Sequence, residues 1–239
     1  MEATASGDFR IKILNWSYKL GRMKTKSILL KISSAIGSVS AESIVPNKSK
    51  CIMTLAHGAG AGMHHPFMVT LAQALAGEGI ATLRFNFPFT EHKKGRPDIP
   101  AVAHQAIETA ILKAQKLFPA LPLFVAGKSF GGRMTSQYMA KNSNDAIKGI
   151  IFYGFPLHAP GKPSIERAEH LKDVKTPMLF IQGSKDEFAT GQLIRSVTSS
   201  LPLVELIIIE KANHGFKAGK DDNIKLLATV TKNWIERKI

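Results

Sequence analysis

Leu123-Phe124-Val125-Ala126-Gly127-Lys128-Ser129-Phe130-Gly131-Gly132 decides the reading of this chain. Four apolar residues run straight into Gly-x-Ser-x-Gly, and a helical pattern with apolar residues three and four apart follows at once, from Phe130 to Lys141. A serine placed between a strand and a helix sits on a strained turn. That turn lifts the hydroxyl clear of the sheet and leaves the next backbone N–H at a helix N-terminus. Gly127 and Gly131 are expected to be small because strand and helix approach too closely there for a β-carbon.

Two other glycine-rich readings fail on spacing. Gly127-Lys128-Ser129 resembles the tail of a phosphate-binding loop, but Gly-x4-Gly-Lys-Ser requires glycine at position 122, which is Pro122. Gly58-Ala59-Gly60-Ala61-Gly62 resembles a dinucleotide loop, yet its third glycine would fall on Met63 or His65.

Outward from the serine, the chain alternates. Continuously apolar runs at Lys50–Leu55, Ile80–Asn86, Leu123–Gly127, Ile147–Tyr153, Pro177–Gly183 and Val204–Glu210 read as strands covered on both faces. Helical patterns lie between or after them, at Pro66–Glu78, Pro100–Lys116, Phe130–Lys141, Phe188–Ser199 and Asp221–Lys238. This predicts an α/β fold: a doubly wound, mostly parallel sheet with helices on both faces. Two earlier strands, Ser27–Ser33 and Val39–Val45, turn at Gly37 and are expected at one edge. Lys24, Lys26 and the weakly apolar stretch to Val39-Ser40-Ala41 imitate a secretory leader, but Lys31 interrupts the stretch and the strand pair is the preferred reading. Met1–Arg22 lacks this grammar and reads as an N-terminal appendage, disordered or covering a sheet edge, to a domain over 23–239.

The composition excludes several classes. Lys and Arg number 32 against 18 Asp and Glu, a formal charge of +14. The basic residues are scattered, with no run of five, no interleaved aromatics and no zinc-finger or RNA-recognition spacing, so the charge argues for solubility and steering and no specific nucleic-acid partner is expected. No run approaches the roughly 20 apolar residues of a membrane span. The single cysteine, Cys51, lies in an apolar run and reads as a buried, inert thiol, in keeping with a cytoplasmic location.

A serine nucleophile needs a base, and the base needs an orienting carboxylate. His214 lies in the turn after the strand Val204–Glu210, where it can reach back to the mouth of the sheet. Asp186 lies in the loop after the strand Pro177–Gly183. Each has a plainer use, Asp186 as a cap of the helix from Phe188 and His214 as a surface turn residue. Three such residues at successive strand ends, in the order Ser129, Asp186, His214, make a triad the better reading. The oxyanion donors are expected to be the N–H of Phe130 and that of Ala59, with Gly60 the near alternative. His57, His64 and His65 lack a cysteine or acidic partner at ligand spacing, so no metal is expected.

From about Ser27 to Ile239 the chain resembles the α/β-hydrolase fold superfamily. HGAGAG at 57–62, RFNFPF at 84–89, GKSFGG at 127–132, FYGFPLHAPGKP at 152–163 and QGSKDEF at 182–188 are similar to a small, cap-poor branch related to the dienelactone hydrolases, whose animal members include a testis-expressed protein and a chromatin-complex subunit. The resemblance implies an eight-stranded sheet, a triad of Ser129, Asp186 and His214, and no cofactor; it implies no substrate. Dienelactone hydrolases proper resemble this fold with cysteine as nucleophile, and Ser129 departs from that pattern.

Only about twenty residues join the strand ending at Gly154 to the one from Pro177, where larger relatives insert a cap, so the site is expected to be open. Phe89, Phe155, Phe188 and Phe216 lie at strand ends and are candidates for an apolar acyl or aryl pocket. Lys128 and Arg133 read first as exposed or ion-paired helix residues and second as attractors of an anionic substrate. The leading function is a serine hydrolase of small-molecule carboxylic esters or thioesters. The alternative is a non-catalytic interaction module that uses its basic surface.

Overall fold

The computed structural model describes residues 24–239, so the expectation for Met1–Arg22 lies outside the described residues. β1 (Lys24–Ser33) and β2 (Gly37–Val45) form an antiparallel hairpin. Gly37 supplies the turn, with φ of +87°. β2 then pairs antiparallel with β4 (Ile80–Phe85), which lies parallel to β3 (Cys51–Ala56). Beyond β3 the sheet continues in parallel through β5 (Leu123–Lys128), β6 (Ile147–Tyr153), β7 (Met178–Gly183) and β8 (Val204–Ile209). The order across the eight strands is β1-β2-β4-β3-β5-β6-β7-β8. The early pair sits at one edge, as its turn signal predicts.

Crossover helices cover both faces. α1 (Pro66–Gly77) and α6 (Ile224–Glu236) bury Leu71, Leu75, Leu227 and Trp234 against one face. A four-residue turn, α2 (Pro88–Glu91), precedes α3 (Pro100–Leu117), which packs the other face with α4 (Phe130–Lys141) and α5 (Gly191–Ser199). Every position of β3, β4 and β7 is buried, which is why those strands read as unbroken apolar runs. β8 corrects the expectation of two-sided cover. It is the sheet edge, and five of its six residues are only half-buried.

The sequence places helix starts too early twice. α5 begins at Gly191, capped by Thr190, because Asp186–Ala189 form a turn ahead of it. α6 begins at Ile224, because Lys217–Ala218 (β9) and Asp221–Asp222 (β10) pair as a small hairpin around Gly219. Among the described residues no helix is long and apolar enough to cross a membrane. Cys51 is fully buried, and burial pushes its thiol up to about 12, which leaves no thiolate at neutral pH.

In the sheet register Ala56, Gly127 and Phe152 lie side by side. The loops after β3, β5, β6, β7 and β8 therefore all open at one edge of the sheet, where an open α/β fold binds its ligands.

Candidate active site

Ser129 follows the last residue of β5 and precedes the first of α4, with φ of 51° and ψ of −115°. An N-cap serine ordinarily accepts an N–H from its own helix. Here the unusual backbone turns Oγ away, no such cap bond forms, and Oγ lies 2.9 Å from His214 Nε2. The turn depends on bare glycine. A Cβ on Gly127 would lie 2.3 Å from the Gly132 nitrogen, and one on Gly131 would lie 2.6 Å from the carbonyl oxygens of Ala56 and His57.

His214 Nδ1 lies 2.7 Å from Asp186 Oδ2. The turn that carries the imidazole is held from several sides. Asn213 Oδ1 accepts the amides of Gly215 and Lys217, Glu187 Oε2 accepts the His214 amide at 3.4 Å, and the Phe188 ring lies 4.4 Å from the imidazole, centroid to centroid. Asp186 is 4% exposed. Its Oδ1 accepts the Phe188 amide at 2.8 Å, so it holds the turn and the histidine together, whereas the cap of the following helix is Thr190 and not Asp186. Its Oδ2 also accepts Gln182 Nε2 at 2.6 Å, and Gln182 Oε1 accepts the Phe155 amide. Gln182 is missed in the sequence reading. Its signal is a lone amide closing the buried apolar run of β7.

The loop Gly58–Ala61 closes a turn, with the Ala61 amide donating to the Gly58 carbonyl at 3.2 Å, and packs beside the elbow. A Cβ on Gly58 would lie 3.6 Å from that of Ser129. Ala59 and Gly60 line the same cavity as Ser129. The Phe130 amide is in the first turn of α4, where the helix supplies no acceptor. His57 is buried beneath the loop rather than lining the cleft, with Nδ1 donating to Gly58 O and Nε2 accepting from Phe87 N. His65 caps α1 by accepting the Phe67 amide. No group of three or more His, Cys, Asp or Glu stands at metal-binding distance among the described residues.

A cavity of about 700 Å³ opens at Ser129 and His214. Two of the four candidate phenylalanines, Phe188 and Phe216, line it. Phe89 and Phe155 do not, which corrects the expectation for them. Phe89 packs against His57, Phe87 and Phe130 under the loop, and Phe155 against Phe152 and Phe180 in the core. The rest of the apolar wall comes from Phe67 and Met68 at the start of α1 and from Ile224 at the start of α6, beside Lys217 and Asp222 of the hairpin. No residue between Phe155 and Pro177 lines it; the 3-10 helix in that connection, Glu166–Asp173, packs Ala168 and Leu171 into the core on the α4 face. Lys128, expected at the surface, has a buried ammonium with no hydrogen-bond partner among the described residues, and Arg133 lies over the Phe130 ring with its centre 6.0 Å away.

An open, mostly parallel sheet with a serine on a strained strand-to-helix turn, and an acid and a histidine at later strand ends, defines the α/β-hydrolase architecture. The chain belongs to the alpha/beta hydrolase domain family, whose profile matches residues 49–236. Among solved structures it is similar to a dienelactone hydrolase from Anabaena variabilis, with a TM-score of 0.73 and 18% identity, covering 92% of this chain and 100% of that one. It is also similar to an α/β serine hydrolase without lid from Xanthomonas campestris, with a TM-score of 0.69 and 20% identity over 92% of this chain and 97% of that one. A putative phosphoribosyl transferase of Mycobacterium tuberculosis is 26% identical over 195 residues, 80% of this chain. The chain spans 42% of that relative's length.

Proposed function

We propose that this chain is a serine hydrolase that cleaves small-molecule carboxylic esters or thioesters through an acyl-enzyme on Ser129. The observation that carries the reading is the continuous line Ser129 Oγ, His214 Nε2, His214 Nδ1, Asp186 Oδ2, with contacts of 2.9 Å and 2.7 Å. Asp186 accepts a hydrogen bond from Nδ1–H, which keeps the proton on Nδ1 and leaves the Nε2 lone pair facing the serine hydroxyl. The hydroxyl gives its proton to Nε2 as Oγ attacks the carbonyl carbon. The amides of Phe130 and Ala59 receive the oxygen on which negative charge develops. The imidazolium then protonates the leaving alcohol or thiol, and water, activated by the same nitrogen, releases the acid. None of these steps calls on a cofactor.

A fluorophosphonate probe tests the reading. It should label the chain stoichiometrically, with Ser129 carrying the adduct, and Ser129→Ala should abolish both the label and turnover of a nitrophenyl ester while leaving the circular dichroism spectrum native. A folded chain that takes no label would turn the assignment towards a non-catalytic interaction module.

A further inference from the structure

A lysine ammonium has three donors and no acceptor, and burying it unpaired is costly, so such a group in a folded protein calls for a reason. Lys128 Nζ is buried and makes no hydrogen bond among the described residues. Its stem runs beside the oxyanion loop, with Cγ 3.9 Å from the place a Cβ on Gly58 would take. Its head lies 5.8 Å and 5.6 Å from the ring centres of Phe67 and Phe216, which stack on one another.

Gly154, at the end of β6, places the head relative to the triad. Its φ is +70°, and a Cβ built there would lie 3.1 Å from Lys128 Nζ, 3.4 Å from Asp186 Oδ2 and 3.4 Å from His214 Cε1. The ammonium, the carboxylate and the carbon edge of the imidazole therefore close on one point, too tightly for a methyl group to fit there without displacing a neighbour. Burial pulls the Lys128 amine down to about 8, and the nearby charges of Asp186 and Glu187 oppose the fall. At neutral pH the group still carries its proton.

Other charged groups around this point come from separate elements. Asp186 and Glu187 lie on the loop after β7, Lys217 and Asp222 on the hairpin ahead of α6, and His65 ahead of α1. Lys217, Asp222 and His65 are exposed, and water screens them. Lys128 is the buried cation.

We propose that Lys128 is a positioning residue of the triad, whose water-shielded ammonium couples through space to the His214–Asp186 pair and so sets the pH range over which the triad works. The effect is electrostatic, since no hydrogen bond from Nζ is needed and none is present among the described residues. It rests on the hydrolase reading for its kinetic consequence, and not for the coupling itself.

Two measurements test it. The first is kcat/KM for nitrophenyl acetate against pH. Lys128→Met keeps the apolar stem and removes the charge, and it should move the acid limb to higher pH by about one unit, as expected for a cation a few ångströms away behind the pair. Lys128→Arg should restore the limb. A packing role alone would change the height of the profile and not the position of its limb. The second measurement needs no turnover. In the chain labelled with 13Cε-lysine, the resonance missing from Lys128→Arg reports the Lys128 amine, and Asp186→Asn should make it lose its proton at least about half a unit lower in pH, because the carboxylate that supports the ammonium is gone. An acid limb unmoved in folded Lys128→Met, or a Lys128 titration indifferent to Asp186→Asn, overturns the proposal. If Lys128→Met does not fold or no ester is turned over, the resonance alone decides, and absence of turnover counts against the hydrolase reading instead.

Discussion

His57 and Phe87 are tied across the loops that follow β3 and β4: the imidazole Nε2 accepts the Phe87 amide at 3.0 Å while Nδ1 donates to the Gly58 carbonyl at 2.8 Å. Because Nε2 receives a backbone proton it cannot carry one, so the neutral ring with hydrogen on Nδ1 is the form that fits. The ring thereby anchors the loop that presents the Ala59 amide. Burial drives the His57 imidazole down to about 4, against only partial opposition from its bond to Gly58.

This lowering makes stability depend on pH. The unfolded chain takes up a proton at His57 near its ordinary value of about 6.5, and the folded chain resists until pH about 4. Unfolding therefore binds a proton in that window, and stability falls as pH drops from about 6.5 to about 4, by up to about 3 kcal/mol from this site. His170, pushed to about 4 by burial and by the charge of Arg133, adds a slope of the same sign. Urea unfolding at pH 7 and pH 5 should show the loss, and His57→Gln should be less stable at pH 7 yet less sensitive to acid. Equal pH sensitivity in the variant would contradict the assignment of the slope to His57.

Asp186 and Glu187 are adjacent, and both reach His214, but through different groups. Asp186 takes the ring nitrogen and Glu187 the backbone amide. Asp186→Asn would offer a donor where the Nδ1–H needs an acceptor, favouring the tautomer with its proton on Nε2, and the rate should fall by about 10⁴. Glu187→Gln keeps an acceptor for the amide and should stay within about threefold of the parent, since a neutral amide bond is worth only about 1 kcal/mol. Steady-state kinetics on one ester rank the two; the reverse order would move the acid by one residue.

The elbow stores strain. A non-glycine residue held at φ of 51° and ψ of −115° costs about 1–3 kcal/mol, and Ser129 makes no cap bond that offsets it. Glycine adopts this conformation freely but loses more entropy on folding. Ser129→Gly should therefore raise stability by about 1 kcal/mol while abolishing turnover. A lower melting temperature than Ser129→Ala would show that the turn is not strained.

The strand and helix order was legible because each buried parallel strand is an unbroken apolar run and each covering helix keeps a three-to-four spacing. The site residues at strand ends were legible for a related reason, since chain order and strand-end position together restrict which side chains meet at one edge of the sheet. What position along a strand does not reveal is the direction of a side chain beyond the last sheet pair. Phe89 and Phe155 depart from their expected place on that account, both turning back into the core. Lys128 departs from its expected place because its neighbours in sequence say nothing of Phe67, Gly154 and Asp186, which lie near it in space. The hairpin at Lys217–Asp222 was hidden by reading Asp221 as a helix start, although Gly219, with φ of +64°, is an ordinary turn signal.

The same hairpin bears on substrate size. A bare elbow with no wall would favour acetate, because a methylene left in water contributes nothing to binding. Here the connection before β7 leaves the site uncovered, but Phe67, Met68, Phe216 and Ile224 build a wall from the other side, around a cavity of about 700 Å³. Each methylene laid on that wall is worth up to about 0.8 kcal/mol, roughly fourfold in kcat/KM. Efficiency on a nitrophenyl ester series should therefore rise from acetate through butyrate to about hexanoate, level off once the wall is filled, and fall by palmitate. Phe67→Ala should flatten the rise while leaving acetate turnover within about threefold, because the methyl of an acetyl group needs none of that wall. No jump in rate is expected at the critical micelle concentration, since among the described residues no segment covers the serine and has to open. A steady increase out to palmitate, unaffected by Phe67→Ala, would place the acyl chain along a different wall from the one formed by α1 and the hairpin.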